Sequence, residues 1–410
     1  MVRYRPRLID GLLAQLLSEL PALLVVGPRA AGKTTTAARH ARTIVRLDRE
    51  AEAAAFVADP DAALRGLEEP VLLDEWQMVP GVLGAVKRAV DADPRAGRFL
   101  LTGSVRSDLE AEGWPATGRL VRIPLYGMTV AEQRGLVDRA PFLDAVLDGD
   151  HPAPLDDAPD LRDYVEIALR SGFPEPALRL SGAAVERWLE SYIEQLLVRD
   201  VETLAPGRDP ARLRRYFEAY ALNTAGVVEE KTLYDAAGIN RRTAVAYEQL
   251  LANLLVVEAV PAWTSNRLKR MVIAPKRYFV DPGLLTGALR LDIRAVLRDG
   301  DLLGRVLDTF VASQLRAELP VTASRPRLYH LRQEQGRREV DLLAELGAER
   351  VVAIEVKASA APGTGDARHL TWLRDTLGDR FVHGLVLHTG PRVFSLGERL
   401  TAAPIATLWS

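Results

Sequence analysis

Apolar residues recur along the chain in two rhythms. Over residues 1–17 the leucines at 8, 12, 13, 16 and 17 fall at helical spacing. Directly afterwards, residues 22–26 form an unbroken apolar run stopped by Gly27. A short run of that kind, bounded by glycine, predicts a strand buried on both faces. Similar runs follow at 44–48, 71–74, 99–102 and 121–123, with helical patterns between most of them. Strands alternating with helices predict a parallel sheet with covered faces. Residues 135–160 are rich in Asp and Pro and read as a linker or long loop.

Beyond residue 160 the strand rhythm fades, and helical spacing dominates to about 290, as at 184–197 and 212–222. From about 300 the pattern turns again. A helix at 303–319 precedes strands at 327–331, 339–344, 351–357 and 384–388. The chain has 410 residues, too many for one ordinary core at roughly 150 residues per domain. The shifts in rhythm divide it at 1–150, 151–295 and 296–410.

Composition narrows the chemistry. With 48% hydrophobic and 26% charged residues the chain has the profile of a globular protein. Its apolar runs are shorter than the ~20 residues needed to cross a bilayer. The N-terminal segment shows no long apolar region and no small-residue cleavage site, so a cytoplasmic protein without a signal peptide is expected. There are no cysteines, which excludes disulfides, thiolate zinc sites, iron–sulfur clusters and thiol catalysis. The six histidines show no pair at metal-ligand spacing. The net charge of −2 means that any nucleic-acid binding must come from a local basic surface.

The sharpest motif is Gly27-Pro28-Arg29-Ala30-Ala31-Gly32-Lys33-Thr34, which fits G-x-x-x-x-G-K-[ST] between a strand and a helical segment that includes Thr35. Glycines let the backbone turn and aim N–H groups at phosphate oxygens. The next helix offers its N-terminal dipole to the anion. Lys33 is expected to neutralise the β- and γ-phosphates, and the Thr34 hydroxyl to ligate Mg²⁺. The run at 71–74 ends in Asp74-Glu75. Strand C-termini in a parallel sheet face the ligand crevice. Asp74 is therefore expected to face Mg²⁺, directly or through water, and Glu75 to polarise the attacking water. The strand at 99–102 ends in hydroxyl residues, so Thr102 or Ser104 is a candidate sensor of the γ-phosphate. Arg119, after Gly118, is a candidate phosphate contact in its own or a neighbouring subunit.

In order, these motifs are followed by Ser171-Gly172-Phe173-Pro174-Glu175 and by the segment 192–200. The set resembles the bacterial and archaeal AAA-type ATPases whose C-terminal half is a DUF4143 domain, over about residues 3–390. One departure is Trp76, where that family more often carries a small aliphatic residue. The resemblance implies an α/β protein: a P-loop NTPase (AAA-like) parallel sheet, a helical winged-helix domain and an α/β restriction-endonuclease-like domain. ATP and Mg²⁺ follow as cofactors. AAA-type sites often borrow an arginine from a neighbour, which brings in a homo-oligomer as a candidate state.

Residues 212–262 read as three helices. A glycine turn at 238–240 leads into a third helix that opens Arg241-Arg242-Thr243, the pattern of a helix-turn-helix. Segments 254–260 and 271–280 are expected to form a wing, with Arg267, Lys269 and Arg270 at its tip. Residues 205–280 carry 12 Lys/Arg against 7 Asp/Glu, a basic stripe suited to phosphate contacts. A lid packed on the ATPase with solvated charges fits the same pattern. Farther on, Asp341 followed by Glu355-Val356-Lys357 fits the D-x(n)-E-x-K pattern of a nuclease of the restriction-endonuclease type. There Asp341 and Glu355 would hold a divalent metal and Lys357 would orient a water. Residues two apart share a strand face, and Asp308 is a candidate extra acid. The leading expectation is a Mg²⁺-dependent ATPase acting on DNA, with nucleotide and DNA as partners and no membrane. The competing one is an ATP-switched scaffold that binds protein and carries an inactive nuclease-like domain.

Overall fold

The computed structural model describes residues 4–104, 118–149, 157–200, 209–266, 270, 273–333 and 336–410. The chain divides into two compact units, residues 1–128 with 252–255, and residues 129–251 with 256–410.

The first unit is built on the apolar runs read above. They become β1 (Ala22–Val26), β2 (Thr43–Arg46), β3 (Val71–Asp74), β4 (Phe99–Gly103) and β5 (Val121–Pro124). All pair in parallel, in the order β2-β3-β4-β1-β5. Leu23, Leu24 and Val25 are fully buried, as unbroken apolar runs require, and each such side chain contributes about 1.5–3 kcal/mol. The helix Gly81–Ala92 covers the sheet with Val82, Leu83, Ala85, Val86 and Val90. The helix expected after the phosphate loop is short: Lys33–Ala37, followed by a 3₁₀ turn at Ala38–His40.

The second unit starts at Thr129, inside the segment assigned above to the first domain. Thr129 and Glu132 form a reciprocal capping box on the helix Val130–Arg134. The supposed linker contains a further helix, Phe142–Leu147, with Phe142, Leu143 and Val146 buried. The Phe142 N–H donates to Glu318 Oε2 at 2.8 Å. Here tertiary burial outweighs a composition that suggests loop. Residues 150–156 of that segment lie outside the described residues.

Next come helices, among them Pro210–Leu222, Glu230–Ala237 and Arg241–Asn253. A two-stranded antiparallel pair follows, β6 (Val257–Val260) and β7 (Lys276–Phe279). The long helix Gly300–Glu318 is buried over most of its length. It packs on a mixed six-stranded sheet: β8 (Arg327–Gln333), β9 (Arg338–Glu345), β10 (Val351–Lys357), β11 (Phe381–His388), β12 (Phe394–Gly397) and β13 (Leu400–Pro404). The order is β12-β13-β11-β10-β9-β8. β9 and β10 are antiparallel neighbours, with Ile354 opposite Leu342. This register sets Asp341 beside the end of β10.

Candidate functional site

The phosphate loop leaves the C-terminal end of β1. Gly27 is required there by space: a Cβ would lie 1.9 Å from the Leu125 carbonyl oxygen. Ala30 and Gly32 take left-handed backbone conformations, with φ of 61° and 94°, and so curl the loop. Pro28, Ala31 and Lys33 are buried, whereas Arg29, Ala30 and Thr35 are exposed. Lys33 donates to the carbonyls of Gly27 at 3.0 Å and Pro28 at 2.8 Å. Burial lowers its pKa to about 8, against the opposing pull of Glu75 and Asp74.

Asp74, at the end of β3, reaches this loop across the intervening β4. Its Oδ1 accepts from Thr34 Oγ1 at 2.7 Å and from Thr102 Oγ1 at 2.5 Å. Thr102 also accepts from the Glu75 N–H at 3.1 Å. Glu75 holds a left-handed conformation, φ 54° and ψ 50°, which is rare for a residue with a side chain. Its Oε2 accepts from Gln77 Nε2 and lies 3.4 Å from Ser104 Oγ. The residues Lys33, Thr34, Asp74, Glu75, Thr102 and Ser104 therefore gather at one end of the sheet. Trp76 is buried and lies against Gly103, where a Cβ would approach its Nε1 to 2.6 Å.

Two participants escape a reading of the sequence. Gln77 holds the Glu75 carboxylate, and no spacing rule marks it. Arg7 is buried and braces the loop from before β1, donating to the Ala31 carbonyl at 2.9 Å and the Tyr126 carbonyl at 2.8 Å. A lone arginine near the N-terminus carries no such signal.

Arg119 does not join this site. It precedes β5, which runs parallel to β1 with Val121 opposite Leu23, so it lies at the N-terminal edge of the sheet. The phosphate loop is at the other edge. Arg119 instead pairs with Asp91 at 2.7 Å.

The basic stripe of the second unit is thinner than its sequence suggests. Arg241 is exposed and pairs with Glu230 at 3.0 Å, and Arg242 is exposed. Arg267 and Lys269 lie outside the described residues. Arg270, expected at a wing tip, is buried against Trp263 and Tyr329 and forks onto both Glu345 oxygens at 2.7 and 2.8 Å. A guanidinium fixed by a bidentate carboxylate offers little to a phosphate. Arg277 likewise is buried and pairs with Glu248 at 2.8 Å.

The C-terminal carboxylates do converge. Asp308, on the helix Gly300–Glu318, and Asp341 of β9 share one neighbour, Glu355 of β10 lies near Asp341, and Lys357 bonds Glu355 Oε2 at 2.8 Å. Between two of them stands a residue that was not anticipated. Lys276 of β7 donates to Asp308 Oδ2 at 2.5 Å and to Asp341 Oδ1 at 3.0 Å. Burial would lower the Lys276 pKa, but Asp308 and Asp341 outweigh it and hold the ammonium well above its usual range. Burial pushes Glu355 well up, and Asp341 adds to the shift. At the metal site expected of Asp308, Asp341 and Glu355, a lysine ammonium thus stands between two of the three carboxylates. Among the described residues no group of three or more Asp, Glu or His is arranged to hold a metal ion.

A parallel sheet with a glycine-rich loop after β1, Lys33 on that loop and Asp74 across from it defines a P-loop nucleotide-binding domain. Residues 19–133 match the AAA domain family. Residues 303–408 match a domain of unknown function, DUF4143, and residues 161–294 another, DUF8612. The chain thus carries an AAA-type P-loop domain followed by a C-terminal DUF4143 domain. It is similar to uncharacterized proteins of Mycobacterium tuberculosis and Mycobacterium bovis. Each is 29% identical over 398 residues, covering 96% of this chain and 82% of the relative. Among solved structures, a Walker-type ATPase of Pyrococcus abyssi aligns with TM-score 0.46 and 14% identity, over 71% of this chain and 99% of that one. Among the described residues no helix is long and apolar enough to cross a membrane.

Proposed function

We propose that the protein hydrolyses Mg·ATP at the phosphate loop and that the helical module of the second unit couples this turnover to DNA. The observation that carries the first half is the convergence of Thr34 and Thr102 on one Asp74 oxygen. Thr34 and Asp74 supply the hard oxygen donors that Mg²⁺ prefers, so these residues fit the ion and would hold it. When bound, Mg²⁺ neutralises phosphate charge. Lys33 binds the terminal phosphates and holds its charge there. Glu75 takes the proton of the attacking water as general base, with Gln77 and Ser104 fixing its carboxylate.

The DNA half is supported by the exposed Arg241 and Arg242. They open a helix that follows Glu230–Ala237 and a left-handed turn at Gly238, with the β6–β7 pair next. That order of elements is the one used by winged-helix readers of DNA. A specific observation favours a second reading. Lys276, Arg277 and Arg270 spend their charge on internal partners, which suits an ATP-switched scaffold that binds protein.

Turnover of ATP by the full chain, with and without linear and branched duplexes, tests the proposal together with gel shifts at several salt concentrations. Expected are turnover that Lys33→Ala abolishes, and DNA binding that weakens steeply with salt and with Arg241→Glu/Arg242→Glu. Undiminished turnover in Lys33→Ala removes the first half. No DNA binding at low salt removes the second and leaves the scaffold.

A further inference from the structure

The restriction-endonuclease resemblance calls for a divalent metal held by Asp341 and Glu355. Five of the six oxygens of Asp308, Asp341 and Glu355 accept a hydrogen bond, two of them from one ammonium. Asp308 Oδ1 accepts from Tyr278 Oη at 2.9 Å, and Oδ2 from Lys276. Asp341 Oδ1 accepts from Lys276, and Oδ2 from the Val356 N–H at 3.0 Å. Glu355 Oε2 accepts from Lys357, which leaves Glu355 Oε1 as the one carboxylate oxygen of the three with no hydrogen-bond partner. Mg²⁺ and Mn²⁺ need several oxygen donors drawn close around them. One oxygen without a hydrogen bond, with His369 Nδ1 4.0 Å away and a resident ammonium in the cluster, does not supply that.

We propose that Lys276 is the built-in cation of this centre: its ammonium stands between Asp308 and Asp341 where a metal would stand, so the DUF4143 domain neither binds a divalent ion there nor cuts phosphodiesters.

The placement of Lys276 supports this. Only 2% of the residue is exposed, so its charge is committed to the cluster and not to solvent or nucleic acid. It is carried by β7, within the 161–294 region, whereas Asp308, Asp341 and Glu355 lie within 303–408. The lysine therefore pins one sequence region to the other, and the carboxylates serve as its socket. Like charges that would repel across an empty socket are balanced instead by the ammonium at hydrogen-bond distance. Lys357, one-third exposed on its side chain, caps Glu355 at the rim and leaves Lys276 the inner position.

Mn²⁺ binding to the nucleotide-free full chain, read by calorimetry, tests the assignment independently of ATP turnover. Wild type and Lys276→Arg are expected to show no Mn²⁺ site that Asp341→Asn removes. Lys276→Ala is expected to gain a saturable site, lost again in Lys276→Ala/Asp341→Asn. A Mn²⁺ site in wild type that Asp341→Asn abolishes overturns the proposal, as does DNA cleavage by wild type that Asp341→Asn abolishes. Both readouts hold even where Lys276→Ala does not fold. A folded Lys276→Ala that gains no site overturns it too.

Discussion

Thr34 donates its hydroxyl to Asp74 at 2.7 Å, joining two residues 40 positions apart. The bond sets the end of β3 against the first turn after the phosphate loop. Thr102, on the strand between β1 and β3, donates to the same oxygen at 2.5 Å and is fully buried. Thr102 thus aims the carboxylate at the loop. Thr102→Val keeps the shape and deletes the donor. Removing such an orienting partner typically costs about 10–100-fold in metal affinity or activity. The Mg²⁺ concentration for half-maximal ATP turnover should rise by that order, with metal-free ADP binding retained. An unchanged Mg²⁺ dependence would show that Thr102 does not orient Asp74.

Gly27→Ala tests the loop's fit. The new Cβ would meet a backbone carbonyl at 1.9 Å, and a main-chain oxygen cannot swing aside as a side chain can. Either β5 or the loop must move. Overpacking of this kind costs about 1–3 kcal/mol, and the displaced loop should lose fluorescent-ADP binding. Wild-type melting together with wild-type affinity would contradict the close approach at Leu125.

How much of this was legible in the sequence differs between the two units. The five strands of the first unit are unbroken apolar runs, because both sheet faces are covered, and each run was readable without partners. Lys33, Thr34 and Asp74 sit at run ends, where a parallel sheet collects its ligands. Arg119 lies away from the loop of its own chain, and sequence order does not reveal which edge of the sheet a residue occupies. In the second unit the carboxylates Asp341 and Glu355 were legible, since alternation fixes the face each takes on its own strand, β9 or β10. Lys276 was not. It lies on β7, far along the chain, and its distance from Asp308 depends on a packing that periodicity does not encode. The positive count over 205–280 is blind to pairing for the same physical reason: charge number is a sequence property, whereas the pairing of Arg270, Arg277 and Lys276 with Glu345, Glu248 and Asp308 is a tertiary one.

Glu75 and Gln77 separate chemistry from binding. Glu75→Gln leaves the loop's hydrogen bonds in place and removes the base. A positioned general base contributes about 10²–10⁴-fold. Turnover should fall by that order while ATP affinity stays near wild type. Gln77→Ala removes one of two groups on the same carboxylate oxygen and should lower turnover by less. If Gln77→Ala proved as damaging as Glu75→Gln, Gln77 would have to touch the reacting groups itself. If Glu75→Gln turned over normally, the base would lie elsewhere.

His330 should make the second unit sensitive to acid. It lies on β8 with 1% exposure. Its Nε2 faces the Ala274 carbonyl at 3.2 Å, and Nδ1 has no hydrogen-bond partner. Burial, with the Lys276 charge nearby, lowers its pKa from 6.5 to about 4. Between those values the unfolded chain takes up a proton at this position that the folded chain refuses. Stability from His330 is therefore fully present above pH 6.5 and is lost as pH falls toward 4. Burial acts the other way on Asp281 and Glu318, whose pKa values rise to about 6 and about 7, so the raw acid limb mixes opposing contributions. Comparison with His330→Gln isolates the histidine, since both carboxylates remain. Urea unfolding of the full chain at pH 7 and at pH 4.5 should show the stability of wild type relative to the variant falling by on the order of 2–3 kcal/mol. A pH-independent difference would mean that His330 is as easily protonated folded as unfolded.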